Sequence, residues 1–243
     1  MIYGQNAFLT AGLVILAFAN LYSRPVLAGI LIGLLVIKPQ MAVLLPLLMI
    51  CGRHWQAFLA AAITATLVCL LSTWSIGLDA WPAFFQSLSD AREYLETGKL
   101  RWGQMISIFA DVKQLGGSTT LAYSLHIAWA GMLLALCAFT WLRTRDLALR
   151  ATTFVLATLH FSPYMYDYEL VWMALPLILL GIRGNQSGWL RFERELLLIA
   201  WLFPFIDLTF SKVVAVNMFF LVSATLAVIV MMHLKQAKPE AAP

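Results

Sequence analysis

Two carboxylates, a histidine and three tyrosines crowd the ten residues His160–Glu169 (HFSPYMYDYE), between two apolar runs, Leu147–Leu159 and Leu170–Ile182. Ionisable groups at membrane depth are costly and persist where they line a cavity or do chemistry. Asp167 or Glu169 can take a proton from a hydroxyl or contact a sugar, and Tyr164, Tyr166, Tyr168 and Trp172 can stack on a sugar or lipid. Asp167 and Glu169 are two apart, so on a helix they face different directions and a paired acid–base role does not follow. Each has a plainer reading. The carboxylates suit a solvated helix start, the aromatics an interfacial belt, and His160, inside its apolar run, a buried hydrogen-bonded core residue.

Lys38 is the second feature. It stands beside Pro39 between two apolar runs, in the string GLLVIKPQ. An ammonium there is suited to the phosphate of a lipid-linked substrate, or it snorkels from a helix end. Gln5 and Gln40 can hydrogen-bond sugar hydroxyls, or equally join one helix to another. Arg92, Lys99 and Arg101 read as a solvated loop face, and Asp207 is a weak candidate near one span end. No Ser/His/Asp order, Cys/His cluster or Gly-rich nucleotide loop is present. Cys51, Cys69 and Cys137 all lie in apolar runs without metal or redox spacing and read as small core residues. No metal and no cofactor is expected.

These side chains must be positioned by membrane helices. Of 243 residues, 62% are hydrophobic and 12% charged, with a mean hydropathy of +0.84. Long uncharged apolar runs mark transmembrane helices, and their continuity argues against a β-barrel. The net charge of +4 belongs to loop Arg and Lys, not to a nucleic-acid surface. Nine apolar segments are expected, at about 7–22, 25–37, 40–52, 55–76, 118–142, 147–161, 168–182, 195–210 and 213–233. The two at 25–37 and 40–52 are short, either half-helices broken at Lys38-Pro39-Gln40 or tilted spans. The fold class is therefore all-α, a polytopic transmembrane bundle over 1–234, with a polar tail at 235–243 expected to be disordered.

Charge sorts the connections. Arg24, Arg53, Arg143, Arg145, Arg150, Arg183, Arg191, Arg194, Lys235 and Lys238 fall on one side with four acids. Lys38, Arg92, Lys99, Arg101, Lys113 and Lys212 fall on the other with eight. The first side is cytoplasmic by the positive-inside rule, with the N-terminus outside and the C-terminus inside. The residues around Gln5, Lys38-Pro39-Gln40, the loop 77–117 and Ser162–Glu169 then share the outer face. In that loop Trp81, Phe84, Phe85, Leu88 and Leu95 recur at three or four residues, which predicts an amphipathic helix over Asp79–Leu95. A shorter amphipathic piece is expected over Gly103–Asp111, and Ser118 is placed to cap the next span.

The order GQN, GLLVIKPQ, a long outer loop ending in SIFADVKQLGG, then HFSPYMYDYELVW resembles glycosyltransferase family 87, of GT-C type, over about residues 4–182. The resemblance implies a hexosyltransferase, often for mannose, in a bacterial inner (plasma) membrane. The donor would be a polyprenyl-phosphate-linked sugar and the acceptor a glycan or glycolipid on the outer face, with membrane lipids as surroundings and no nucleic acid. It marks Gln5, Asn6, Lys38, Gln40, His160, Tyr164 and Asp167 as substrate-binding candidates, with Asp167 and Glu169 as catalytic ones. Family members carry further spans upstream, where the aspartate taken as base lies. By that comparison the chain reads as a truncated piece supplying the donor pocket and phosphate contacts. The alternatives are a transporter or lipid flippase, for which broken helices and intramembrane charge are equally apt, or a non-catalytic remnant.

Overall fold

The computed structural model describes residues 5–214 and 216–236, with side chains described outside 207–214. Gly4, the side chains of Asp207 and Lys212, and the tail beyond Gln236 therefore lie outside the description. Twelve helices occur among the described residues: α1 (Ala7–Asn20), α2 (Pro25–Gly33), α3 (Pro39–Ala42), α4 (Leu44–Cys51), α5 (Trp55–Ile76), α6 (Ala80–Thr97), α7 (Ile108–Gln114), α8 (Thr119–Arg143), α9 (Leu147–Phe161), α10 (Ala174–Ser187), α11 (Glu193–Val214) and α12 (Phe219–Gln236). Three 3₁₀ turns, Leu34–Ile37, Trp102–Gln104 and Asp167–Met173, join them. No strand is found among the described residues, only one isolated antiparallel bridge between Met105 and Tyr166.

Helix α9 is the axis. Every residue from Ala148 to His160 is buried, and α3, α8, α10 and α12 pack around it. A helix buried on all sides, its polar side chains Arg150, Thr152, Thr153, Thr158 and His160 included, lies in the middle of the bundle. Helix α5 is its opposite. Leu59, Ile63, Leu67, Leu70 and Leu71 on α5 are exposed, as a lipid-facing helix requires. α5, α8 and α12 are long and apolar enough to cross a membrane, and α1, α9, Pro25–Ile37 and Pro39–Cys51 are shorter apolar helices. The protein is thus an all-helical membrane protein.

The two short runs of the sequence meet at Lys38, whose backbone (φ −142°, ψ 70°) leaves the helical region so that Pro39 can open α3. α2 lies on α5 through small residues. A Cβ on Gly29 would stand 2.3 Å from the Ala57 carbonyl oxygen, and one on Gly33 would stand 2.5 Å from Thr64 Cβ. Gly29 and Gly33 form a GxxxG pair, which lets two backbones approach closely.

Two local expectations change. The run 168–182 does not start as an α-helix. Asp167–Met173 winds as a 3₁₀ turn, which eclipses residues three apart and brings Glu169 and Trp172 inward together. The piece 103–111 is α-helical only from Ile108, after the 3₁₀ turn Trp102–Gln104. Met105–Ser107 is drawn out straight because Ile106 N–H donates to the Met165 carbonyl at 2.9 Å and Ser107 Oγ to the Pro163 carbonyl at 2.8 Å. The predicted outer helix is present as α6, and Ser118 caps α8 by accepting from Leu121 N–H at 3.2 Å.

The basic side chains meet at one end of the bundle. Arg150, buried at 5% exposure, donates to the carbonyls of Thr144 (2.6 Å) and Trp141 (2.7 Å) and to the Tyr22 hydroxyl (3.0 Å). Its Nη1 also meets His54 Nε2 at 3.2 Å. Burial, then the Arg150 and Arg145 charges, push the His54 imidazole down to about 4, so it is a neutral acceptor for Arg150. Nearby, Arg183 bonds Asp146 at 2.7 Å and His233 Nδ1 at 2.9 Å, while His233 Nε2 bonds Glu193 at 2.8 Å. These bonds tie the ends of α1, α8, α9, α10, α11 and α12 together.

Gly29→Val should strain the α2–α5 contact, an overpacking cost of about 1–3 kcal/mol. We expect a lower unfolding temperature in detergent, whereas Gly12→Ala, with nothing within 4 Å of its added Cβ, should leave it unchanged. Equal melting of both variants would refute the close packing.

Candidate functional site

At the end of the bundle opposite the arginines, Lys38 Nζ is hydrogen-bonded and ion-paired to Glu169 Oε1, across 131 residues of sequence. The pair is enclosed, with side-chain exposures of 12% for Lys38 and 2% for Glu169. The kink that frees Lys38 from a helix aims it at the 3₁₀ turn that carries Glu169. The Lys38 ammonium also lies 5.3 Å from the centre of the Tyr168 ring, and Tyr168 stacks on Tyr166 at 5.6 Å, their planes 7° apart. This is not a snorkelling lysine. Glu169 Oε2 is buried and meets no hydrogen-bond partner among the described residues.

Neighbouring segments converge here. Trp172 Nε1 donates to Thr10 Oγ1 at 3.1 Å, which sets the start of α1, with half-buried Asn6 and exposed Gln5, against the same turn. The extended 105–107 stretch seals another side by bonding to 163–165. Asp167 is half-buried, and burial raises its carboxyl above the usual range. No ion pair engages Asp167 among the described residues. Gln40 is exposed on α3, two residues from Lys38.

His160 and Tyr164 stand apart from the ion pair in their contacts. His160 is fully buried, with Nε2 at 2.7 Å from Ser223 Oγ and its ring stacked on Phe219 at 5.1 Å. It is a core residue between α9 and α12. Tyr164 is half-buried among the aromatics under α6, beside Tyr123 and Phe109. There Glu96 accepts from Arg92 Nε (2.9 Å) and Tyr123 OH (3.0 Å), and Lys99 bonds Glu93 at 2.9 Å on the exposed face, as a solvated loop surface should.

An apolar groove adjoins the site. About 330 Å³ in volume, it is lined by Val36, Ile37 and Pro39, by α5 residues including Cys69 and Thr73, and by Trp81 and Phe84 of α6. Trp81 Nε1 donates to Thr73 Oγ1 at 2.9 Å, so the outer helix roofs this groove. A second hollow of about 270 Å³ continues it toward Met49 and Phe58, sharing Val36 and Pro39. Ile37 and Pro39, the chain neighbours of the buried cation, thus help wall this apolar groove. Sequence reasoning named both Lys38 and Glu169 but not their partnership, and it missed the groove. No cluster of three His, Cys, Asp or Glu side chains fit for a metal occurs among the described residues.

Breaking one half of a buried pair leaves an uncompensated charge, at a cost of about 3–5 kcal/mol. Lys38→Met and Glu169→Gln should each lower the unfolding temperature, and the double variant should lose less than the sum. Additive losses would show that the two side chains do not interact.

The sequence model of glycosyltransferase family 87 matches residues 1–163. The match includes Lys38 and stops six positions short of Glu169. Comparison with curated proteins and with solved structures finds no match. Nothing in the fold favours transport over transfer.

Proposed function

The chain belongs to glycosyltransferase family 87, and from that membership and the Lys38 site we propose a hexosyltransferase of GT-C type, mannosyl-transferring in character. It moves a sugar from a polyprenyl-phosphate donor to an acceptor hydroxyl of a glycan or glycolipid at the outer face of a bacterial inner membrane. The observation that carries the reading is a buried, carboxylate-held ammonium beside a roofed apolar groove. A prenyl chain needs the groove and its phosphate needs the cation.

In this reading the prenyl chain lies under Trp81 and Phe84, and the phosphate takes the place of Glu169 Oε1 at Lys38. Gln5, Asn6 and Gln40 offer amides to the sugar hydroxyls, and Tyr168 offers a ring face. The acceptor oxygen attacks the anomeric carbon as the C1–O bond to phosphate breaks, and the leaving phosphate keeps the electron pair beside Lys38. Glu169 is buried, whereas Asp167 is only half-buried and has no ion pair among the described residues, so we assign Asp167 as the carboxylate that an acceptor can reach and that receives the hydroxyl proton. Its raised carboxyl suits it to that task. The nine-segment topology, with this site on the outer side and the arginine-rich end in the cytoplasm, accords with the positive-inside bias.

Purified chain in detergent, given labelled polyprenyl-phosphate hexose, tests both steps. Lys38→Ala should abolish donor binding, while Asp167→Asn should retain it and lose about 10²–10⁴-fold in transfer, the usual worth of a general base. The acid limb of the pH–rate profile should lie above the ordinary carboxylate range, since the base acts only when ionised. Donor binding unchanged in Lys38→Ala would contradict the phosphate site. Full transfer by Asp167→Asn would remove that residue from the chemistry.

A further inference from the structure

Helices α8, α9 and α12 pack against one another, and they bury a group of polar atoms that the proposed chemistry does not use. Nδ1 and Nε2 of His126, Nε1 of Trp129 and Nδ1 of His160 meet no hydrogen-bond partner among the described residues. His126 is 2% exposed and His160 0%. His126 and Trp129 are three apart on α8, so they share a face one turn from each other. The Trp129 ring stands edge-on to His160, with centres 6.0 Å apart and planes at 86°. Phe219 stacks on the same imidazole at 5.1 Å. Thr158 Oγ1 also lacks a partner, but it is two positions from His160 and opens on another side of α9. Buried polar atoms are almost always paired, so four orphans on neighbouring side chains call for a ligand.

The hydrogen bonds around His160 fix which ligand that is. Ser223 Oγ donates its single proton to the Phe219 carbonyl at 2.9 Å. It can then only accept from His160 Nε2, which lies 2.7 Å away. His160 therefore carries its proton on Nε2, and its orphaned Nδ1 is an acceptor. His126 is neutral, because a buried imidazolium without an acidic partner is too costly, and it offers one donor and one acceptor. Trp129 Nε1 is a donor only. The group thus holds two donors and two acceptors. A metal ion would face two N–H groups, and an anion would face two lone pairs. Water serves both kinds. We propose that α8, α9 and α12 enclose ordered water, one molecule accepting from Trp129 Nε1 and donating to His160 Nδ1 and to His126. That makes the about three hydrogen bonds usual for a water inside a protein, and the remaining N–H of His126 leads to a second molecule. The water joins α8 to α9, and Ser223 carries the link on to α12.

NMR of the full chain in detergent, with ¹⁵N-labelled tryptophan and histidine, tests the proposal. The indole N–H of Trp129, assigned by Trp129→Phe, should show the cross-relaxation with water that a long-lived bound molecule gives. Trp172 is the control in the same spectrum, since its buried N–H is already spent on Thr10 Oγ1 at 3.1 Å and should show none. His160, assigned by His160→Gln, should be protonated on Nε2 and bare on Nδ1. His126→Leu removes one bond to the water and should weaken the Trp129 signal about two- to tenfold, the worth of a single hydrogen bond. The Trp172 resonance, unmoved, shows that this variant is folded. A Trp129 N–H without water cross-relaxation would overturn the proposal, as would a His160 proton on Nδ1. A Trp129 signal of full strength in folded His126→Leu would remove His126 from the site.

Discussion

A lysine and a glutamate taken out of water together set the terms for one end of this protein. Neither charge is tolerable alone at that depth, because a single buried ion keeps several kcal/mol of uncompensated desolvation. The chain therefore has to break its helix at Lys38, bring in the 3₁₀ turn at 167–173, and pack the start of α1 and the 105–107 stretch around both. Replacing the pair by apolar side chains would be the simpler way to fill the space. The pair fits a cation kept ready for an anionic substrate.

The opposite end solves a different problem by different means. Arg150 gives donors to two carbonyls, a tyrosine and a neutral histidine, while Arg183, Asp146, His233 and Glu193 close a relay across four helices. These bonds anchor helix ends and leave Arg191 and Arg194 facing outward. The bundle is thus clamped at one end and holds the Lys38–Glu169 pair at the other. Between them, α9 supplies a buried axis and α5 a lipid-facing wall set close to α2 by Gly29 and Gly33.

Much of this was legible in the sequence. Apolar runs without charges give membrane helices whatever the tertiary detail, and the amphipathic spacing of Trp81, Phe84 and Phe85 was enough to place α6. Loop charge alone placed Lys38 and 162–169 on one common side, and the Lys38–Glu169 contact brings them together. What remained hidden was contact across long sequence separations. Nothing local says that Lys38 faces Glu169 rather than water, because both snorkelling and pairing satisfy the same residue types. The 3₁₀ turn at 167–173 was hidden for the same reason, its winding being fixed by Thr10 and Lys38 from elsewhere in the chain. His160 is the converse case. Its residue type invited a functional role, and its partners Ser223 and Phe219 give it a structural one. The GxxxG pair at Gly29 and Gly33 was a local signal, readable in principle as a close helix contact.

The central claim is that the carboxylate at Lys38 holds the position a substrate phosphate will occupy. Solid-state NMR on chain with ¹⁵N-labelled lysine side chains, loaded with a polyprenyl-phosphate donor, measures this through the ³¹P-induced dephasing of the Lys38 Nζ signal, assigned by Lys38→Arg. The account predicts strong dephasing of that one resonance. An undephased Lys38 signal in a sample with donor bound would contradict it.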